Sequence, residues 1–291
     1  HALWDISGKA AGLPVYMLLG GAVRDRIRVY RGAGGRNGKE TAEAAHKLHE
    51  SHGFTAFKTG PFQIDPDASR WGRVCSEAAK YFEEIRAHTP DDWEFAFDPH
   101  AKIFEPIRAV QLADALAPYD PMFFEEPLRP EHIPQWQRLR KQMRVPLATG
   151  ESLFGRFEFL DLIARNALDI IQPDVCICGG LLEMRKIAAI AEAHYVSVAP
   201  HNPMGPISTA VNVHFAAATH NFTILEYYLP TDAAWENWVD EPYVPTDGYL
   251  HIRPDRPGLG IEVNEEAITN NDFVHWQRTC PIRPDGSTGY I

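Results

Sequence analysis

From residue 98 onward, six polar side chains recur at a nearly constant interval, and that period constrains the fold more than any other feature. Asp98 (EFAFDPH), Glu125 (PMFFEEP), Glu151 (PLATGES), Asp174 (LDIIQPD), His201 (VSVAPHN) and Glu226 (FTILEYY) each close a short apolar run. The steps 98 to 125, 125 to 151, 151 to 174, 174 to 201 and 201 to 226 are 27, 26, 23, 27 and 25 residues. A parallel (β/α)8 barrel of about 250 residues uses roughly 30 residues per unit. A recurrence near that length returns each strand's C-terminal end to the same rim. The period therefore predicts six side chains converging on one mouth.

Two further runs, IRVYRGAG from Ile27 and FTAFKTG from Phe54, bring the β-like segments to eight. Most are continuous apolar stretches, as expected of strands covered on both faces. Helical spacing fills the gaps at 40–50, 69–87, 106–117, 133–143, 157–165, 180–193 and 207–218. Alternating strands and helices predict an α/β fold with a parallel sheet closed as a TIM-type (β/α)8 barrel. Residues 1–26 read as a helical lead-in, broken at Gly12-Leu13-Pro14. Residues 27–229 read as the barrel and 230–291 as a C-terminal loop and return segment. Within that last part, 230–245 reads as loop, 254–260 as turns and 261–268 as a short strand and turn.

The chain of 291 residues, 45% of them hydrophobic, is large enough for one such core. Its net charge of −11 argues against a nucleic-acid surface but not against a small anionic substrate beside a bound cation. The four cysteines match no zinc pattern and no disulfide framework, so a reduced, cytoplasmic setting is expected. No apolar run approaches a membrane span, and no membrane partner is expected.

Asp98, Glu125 and Glu151 fall at three consecutive strand ends. One such acid could equally cap a helix; three in succession predict an oxygen cage suited to Mg²⁺, which keeps waters or takes substrate oxygens beside a few carboxylates. Asp174 and His201 follow on the next two strands. A carboxylate there can accept from one ring nitrogen, orient the imidazole and leave the other nitrogen as a base. His100 lies two residues after Asp98, so alternation along an extended strand predicts that both face one cavity. Lys58 ends the second strand and would supply a cation opposite the metal. Glu226 ends the eighth and, if protonated, could donate to a developing oxyanion. Glu126 is expected to point away from Glu125 in a supporting role. Cys176-Ile177-Cys178-Gly179-Gly180 reads as a tight strand-to-helix turn, and Arg31–Arg36 as a close-packed rim loop rather than a phosphate cradle. His132, His214 and His220 have no partner legible in the sequence, and Trp235, Trp238, Tyr227 and Tyr228 either wall the cavity or pack.

The ordered set FKTG, FDPH, FFEEP, GES, QPD, APHNPMGP and LEYY, preceded by ALWDISGKAAGLPVYMLLGG and followed by RPGLGIEV, resembles the enolase superfamily. Within it the likeness is to the mandelate racemase subgroup, and there to sugar-acid dehydratases of the D-galactonate dehydratase type. The resemblance implies a modified (β/α)7β barrel. It implies Asp98, Glu125 and Glu151 as Mg²⁺ ligands, His201 as base, Asp174 as its partner, His100 as general acid, Glu226 as the strand-eight acid and Lys58 as the subgroup's lysine. It implies Mg²⁺-dependent dehydration of a small-molecule sugar acid to a 2-keto-3-deoxy acid through an enediolate, by a homo-oligomer. One departure bears on the reaction. The racemases carry Lys-X-Lys, whereas this chain has Lys58-Thr59-Gly60, so a single-base dehydratase is expected over a two-base racemase. Racemisation or cycloisomerisation of an acid sugar is the alternative with the same enolate chemistry, and a non-catalytic Mg²⁺-binding barrel is the alternative of another class. The family's N-terminal capping domain is expected to be missing from this chain, with the C-terminal return packing on it.

Overall fold

The computed structural model describes every residue except 234, 236, 271–274, 276–278, 281, 290 and 291. The C-terminal segment expected at 230–291 therefore lies partly outside the described residues. The eight predicted strands are present as β1 (Arg26–Gly32), β2 (Ala56–Thr59), β3 (Glu94–Phe97), β4 (Phe124–Glu125), β5 (Leu147–Thr149), β6 (Ile170–Ile171), β7 (Ser197–Val198) and β8 (Leu225–Glu226). The lead-in is two helices, α1 (Ala2–Ala11) and α2 (Val15–Leu18). The seven helices expected between strands follow as α3 (Gly38–His52), α4 (Trp71–Ala87), α5 (Pro106–Leu116), α6 (Ile133–Gln142), α7 (Gly155–Ala164), α8 (Leu181–Ala193) and α9 (Pro206–Ala217).

Among the described residues several elements differ from expectation, including a 3-10 turn at Pro230–Ala233 in the stretch read as loop. A ninth strand, β9 (Tyr249–His251), pairs antiparallel with β1, Arg26 opposite His251. The segment read as strand and turn at 261–268 is instead a bridge at Val263 followed by the short helix α10 (Glu265–Thr269). Asn264 caps α10, its side-chain oxygen accepting from Ala267 N at 3.1 Å. A capped start with two glutamates in the first turn favours helix locally over a strand with no neighbour beyond one bridge.

The chain forms two compact units, made of the described residues of 1–30, 151–160 and 171–275, and of 31–150, 161–170 and 276–291. In the second, Arg31 and Gly32 of β1 pair with Phe57 and Lys58, and β2, β3, β4 and β5 continue the parallel sheet in chain order. The register places Thr59 beside Phe97, and Asp98 N bonds Thr59 O at 3.0 Å. Lys58 and Asp98 thus emerge at one edge, and Glu125, beside Ala148, emerges at the same edge. Fully buried rings fix this sheet on its helices: Phe82 of α4 meets Phe97 edge-on at 4.5 Å, and Phe57 stacks on Phe95 at 5.2 Å. Helix α4 buries Val74, Ala78, Tyr81, Phe82 and Ile85, a single apolar stripe.

In the first unit, Val29 and Tyr30 of β1 pair parallel with Leu225 and Glu226 of β8. Ala199 N bonds Ile171 O at 2.9 Å, and Val198 bridges Phe222. Every residue of α9 except Ile207 is buried. The return segment reaches back to the lead-in: Val15 N bonds Gly258 O at 2.9 Å, and Leu259 N bonds Asp5 Oδ1 at 2.8 Å. A Cβ on Gly8 would stand 2.8 Å from the Gly258 Cα, so the two backbones meet where only glycine fits.

His214 finds its partner inside this core. Its Nδ1 accepts the Tyr16 N–H at 3.1 Å and its ring stacks on Tyr16. Burial pushes its pKa down to about 4. A lowered folded pKa means the unfolded chain binds the proton first. The stability that neutral His214 contributes is complete above about pH 6.5 and lost as pH falls from there toward 4, on the order of 3 kcal/mol in all. Denaturant melts of the parent and of His214→Gln at pH 7 and pH 4 are expected to show a smaller acid loss in the variant. Equal losses would contradict the assignment.

Candidate active site

In the second unit, the ends of β2, β3 and β4 bring Lys58, Asp98, His100 and Glu125 together. Lys58 Nζ lies 2.6 Å from Glu125 Oε1 and 3.5 Å from Asp98 Oδ2. The Glu125 side chain is 1% exposed and that of Lys58 11%. Burial alone would raise the Asp98 carboxyl, but the His100 ring and the Lys58 charge outweigh it and hold Asp98 below the usual carboxylate range.

His100 does not reach Asp98 by strand alternation, because β3 ends at Phe97. His100 and Ala101 are both left-handed (φ 55° and 56°), an uncommon state for residues with a Cβ. Asp98 Oδ1 accepts His100 N at 2.7 Å, and Glu126 O accepts Ala101 N at 2.7 Å. These bonds pin the turn and leave His100 Nδ1 3.6 Å from Asp98 Oδ2. Glu126, itself left-handed at φ 38°, turns its buried carboxylate to Thr149 Oγ1 and to Gly150 N (3.1 Å). It therefore supports the strand ends, as its place next to Glu125 suggested.

In the first unit, Glu151, Asp174, His201 and Glu226 form a second cluster. Asp174, its side chain wholly buried, accepts Cys176 N on Oδ1 at 2.7 Å and faces His201 Nδ1 with Oδ2 at 2.8 Å. A carboxylate oxygen can only accept, so Nδ1 carries the hydrogen. The other ring nitrogen, Nε2, is 3.7 Å from Glu151 Oε2 and 3.8 Å from Glu226 Oε2. Asp174 O also accepts Cys178 N at 2.8 Å, confirming the tight turn at 176–180, and burial pushes the Cys178 thiol up to about 12, which keeps it inert. Asn202, unremarked in the sequence, sits next to the dyad and donates its N–H to Glu226 Oε2 at 3.1 Å.

The donor chemistry of the acids fits a hard divalent cation. Glu125 is a buried carboxylate and Asp98 a partly buried one, the two sharing one ammonium, and oxygen is what Mg²⁺ takes. Among the described residues, no three His, Cys, Asp or Glu side chains stand grouped as a ready-made metal centre. In the second unit it is the Lys58 ammonium that bridges the carboxylates.

A sequence model described as enolase C-terminal domain-like matches residues 40–267. The chain belongs to the enolase superfamily. Its α/β, TIM-type fold is that of superfamily structures. A crystal structure of an enolase from Agrobacterium radiobacter, assigned provisionally as a galactarate dehydratase and bound to sodium and L-malate, is 52% identical with a TM-score of 0.96, over 99% of this chain and 77% of that one. A mandelate racemase/muconate lactonizing enzyme-type structure from Labrenzia alexandrii is 34% identical with a TM-score of 0.84, over 93% of this chain and 73% of that one. Among curated superfamily members, D-galactonate dehydratases from Pectobacterium atrosepticum and Ralstonia nicotianae are 37% and 38% identical, each over 99% of this chain and 76% of the relative. With relatives of that class along its length, this member is an enzyme of the hydro-lyase type. None of its described helices is long and apolar enough to cross a membrane.

Proposed function

We propose that this chain removes water from a sugar acid of the galactonate–galactarate kind, giving a 2-keto-3-deoxy acid, with Mg²⁺ as cofactor. The observation that carries the reading is the His201–Asp174 pair, an oriented imidazole whose second nitrogen is flanked by two more acids. The dehydratase relatives support the reaction class.

His201 Nε2 takes the proton from C2, and Asp174 stabilises the resulting imidazolium. The electron pair left at C2 spreads into the carboxylate as an enediolate, and the Lys58 ammonium balances the added charge. As the pair returns, C2=C3 forms, the C3–O bond breaks and His100 gives its proton to the leaving hydroxyl. The enol then becomes the ketone. Asp98, Glu125 and Glu151 are the residues that would hold Mg²⁺, whose charge, when bound, lowers the cost of ionising a C–H beside a carboxylate.

The racemase alternative needs a second base on the opposite face. The place where the racemases carry their second lysine is Gly60 here, which has no side chain to serve. The assignment of the acid is testable on its own. His100→Asn is expected to keep C2 hydrogen exchange in D₂O within a few-fold of the parent while dehydration falls by roughly 10²- to 10⁴-fold. Simultaneous loss of both would remove His100 from that role.

A further inference from the structure

Asn202 is buried, follows the proposed base directly and makes no use of its side chain in the chemistry above. Its amide nonetheless meets a partner at every site. Nδ2 donates to Glu226 O and to Thr209 Oγ1, both at 3.0 Å. Oδ1 accepts from Ser208 Oγ at 2.9 Å and from Asn212 Nδ2 at 3.1 Å. The Glu226 carbonyl can only accept, which fixes the amide's orientation. With the backbone N–H on Glu226 Oε2 at 3.1 Å, the residue makes five hydrogen bonds in one buried pocket.

Three of the partners lie on α9, a helix buried on nearly all sides. Ser208, Thr209 and Asn212 put polar atoms into that core at a cost unless they are bonded. They line the face that grips Asn202. The oxygen that Asn202 N–H holds, Glu226 Oε2, is the one 3.8 Å from His201 Nε2.

We propose that Asn202 is a positioning residue: by bonding the end of β8 and the start of α9 at once, it sets the His201 ring and the Glu226 carboxylate in register for proton transfer at C2. The inference rests on His201 being the base. A displacement of about 1 Å in such a geometry costs about 100-fold in rate.

The test uses the full chain with Mg²⁺ and either D-galactonate or galactarate. Asn202→Ala is expected to lower C2 exchange and dehydration alike by about 100-fold, with KM within about 3-fold of the parent. Thr209→Val, which removes one acceptor of the amide at nearly constant volume, keeps the question open to measurement if Asn202→Ala does not fold, and is expected to cost about 10-fold in kcat. A second readout needs no substrate. The low-field proton resonance of His201 Nδ1, identified by its absence in His201→Asn, is expected to vanish or shift in Asn202→Ala and to broaden in Thr209→Val. Folded variants with parental kcat, or with an unmoved resonance, overturn the inference. If His201→Asn abolishes exchange while the Asn202 and Thr209 variants behave as parent, only the positioning role fails. If His201→Asn still exchanges, it is the base assignment that fails.

Discussion

His201→Asn is expected to silence hydrogen exchange at C2 and dehydration together, each by roughly 10³- to 10⁴-fold, without unfolding the protein. The side chain is 15% exposed and stands 2.8 Å from Asp174 at the rim of the core, so the smaller amide disturbs little of the packing. What it removes is a nitrogen basic enough to take a carbon-bound proton. In the proposed mechanism Asp174 orients that nitrogen and balances the imidazolium, and an amide in the same place has no base to orient. Because exchange requires only the first proton transfer, its loss separates this variant from His100→Asn, in which exchange is expected to persist. Exchange in D₂O followed by proton NMR reads both. Continued exchange in His201→Asn would place the base elsewhere.

Glu125→Gln is expected to act through charge. Glu125 is the most buried acid of its cluster, and its partner Lys58 is largely covered. The neutral amide takes away the carboxylate charge 2.6 Å from the Lys58 ammonium, with Asp98 farther off at 3.5 Å. Removing one member of a buried ion pair costs on the order of 3 kcal/mol, and thermal or urea melts of the metal-free protein are expected to register it. The same change deletes one of the three proposed metal oxygens. Mn²⁺ titration followed by electron paramagnetic resonance is expected to show affinity reduced by at least about 100-fold, with turnover lost in parallel. Parental Mn²⁺ affinity in the variant would exclude Glu125 as a ligand while leaving the stability loss intact.

Much of this was readable from the amino-acid sequence, for a physical reason. Strands buried on both faces are apolar throughout, so a polar residue that closes each run stands out, and the steps of 23 to 27 residues match one βα unit. The strands themselves are brief: β4, β6, β7 and β8 are two residues each. His100 was found beside Asp98 but for the wrong reason, since alternation cannot foresee two left-handed residues pinned by Asp98 Oδ1 and Glu126 O. Asn202 was missed because a buried amide declares itself only through partners 6 to 24 residues away in the chain. Strand β9 did leave a signal: Asp247-Gly248, both at positive φ, is a hairpin turn, and Thr246 and Tyr249 bridge across it. Its pairing with β1 more than 200 residues earlier had no such local mark.

The most direct measurement of the proposed chemistry is proton and carbon NMR of the protein with D-galactonate and with galactarate in D₂O, with Mg²⁺ and again after chelation. One of the two acids is expected to lose water and yield a 2-keto-3-deoxy acid only while the metal is present. An epimerised acid that keeps its C3 hydroxyl, or conversion undiminished by chelation, would contradict the account.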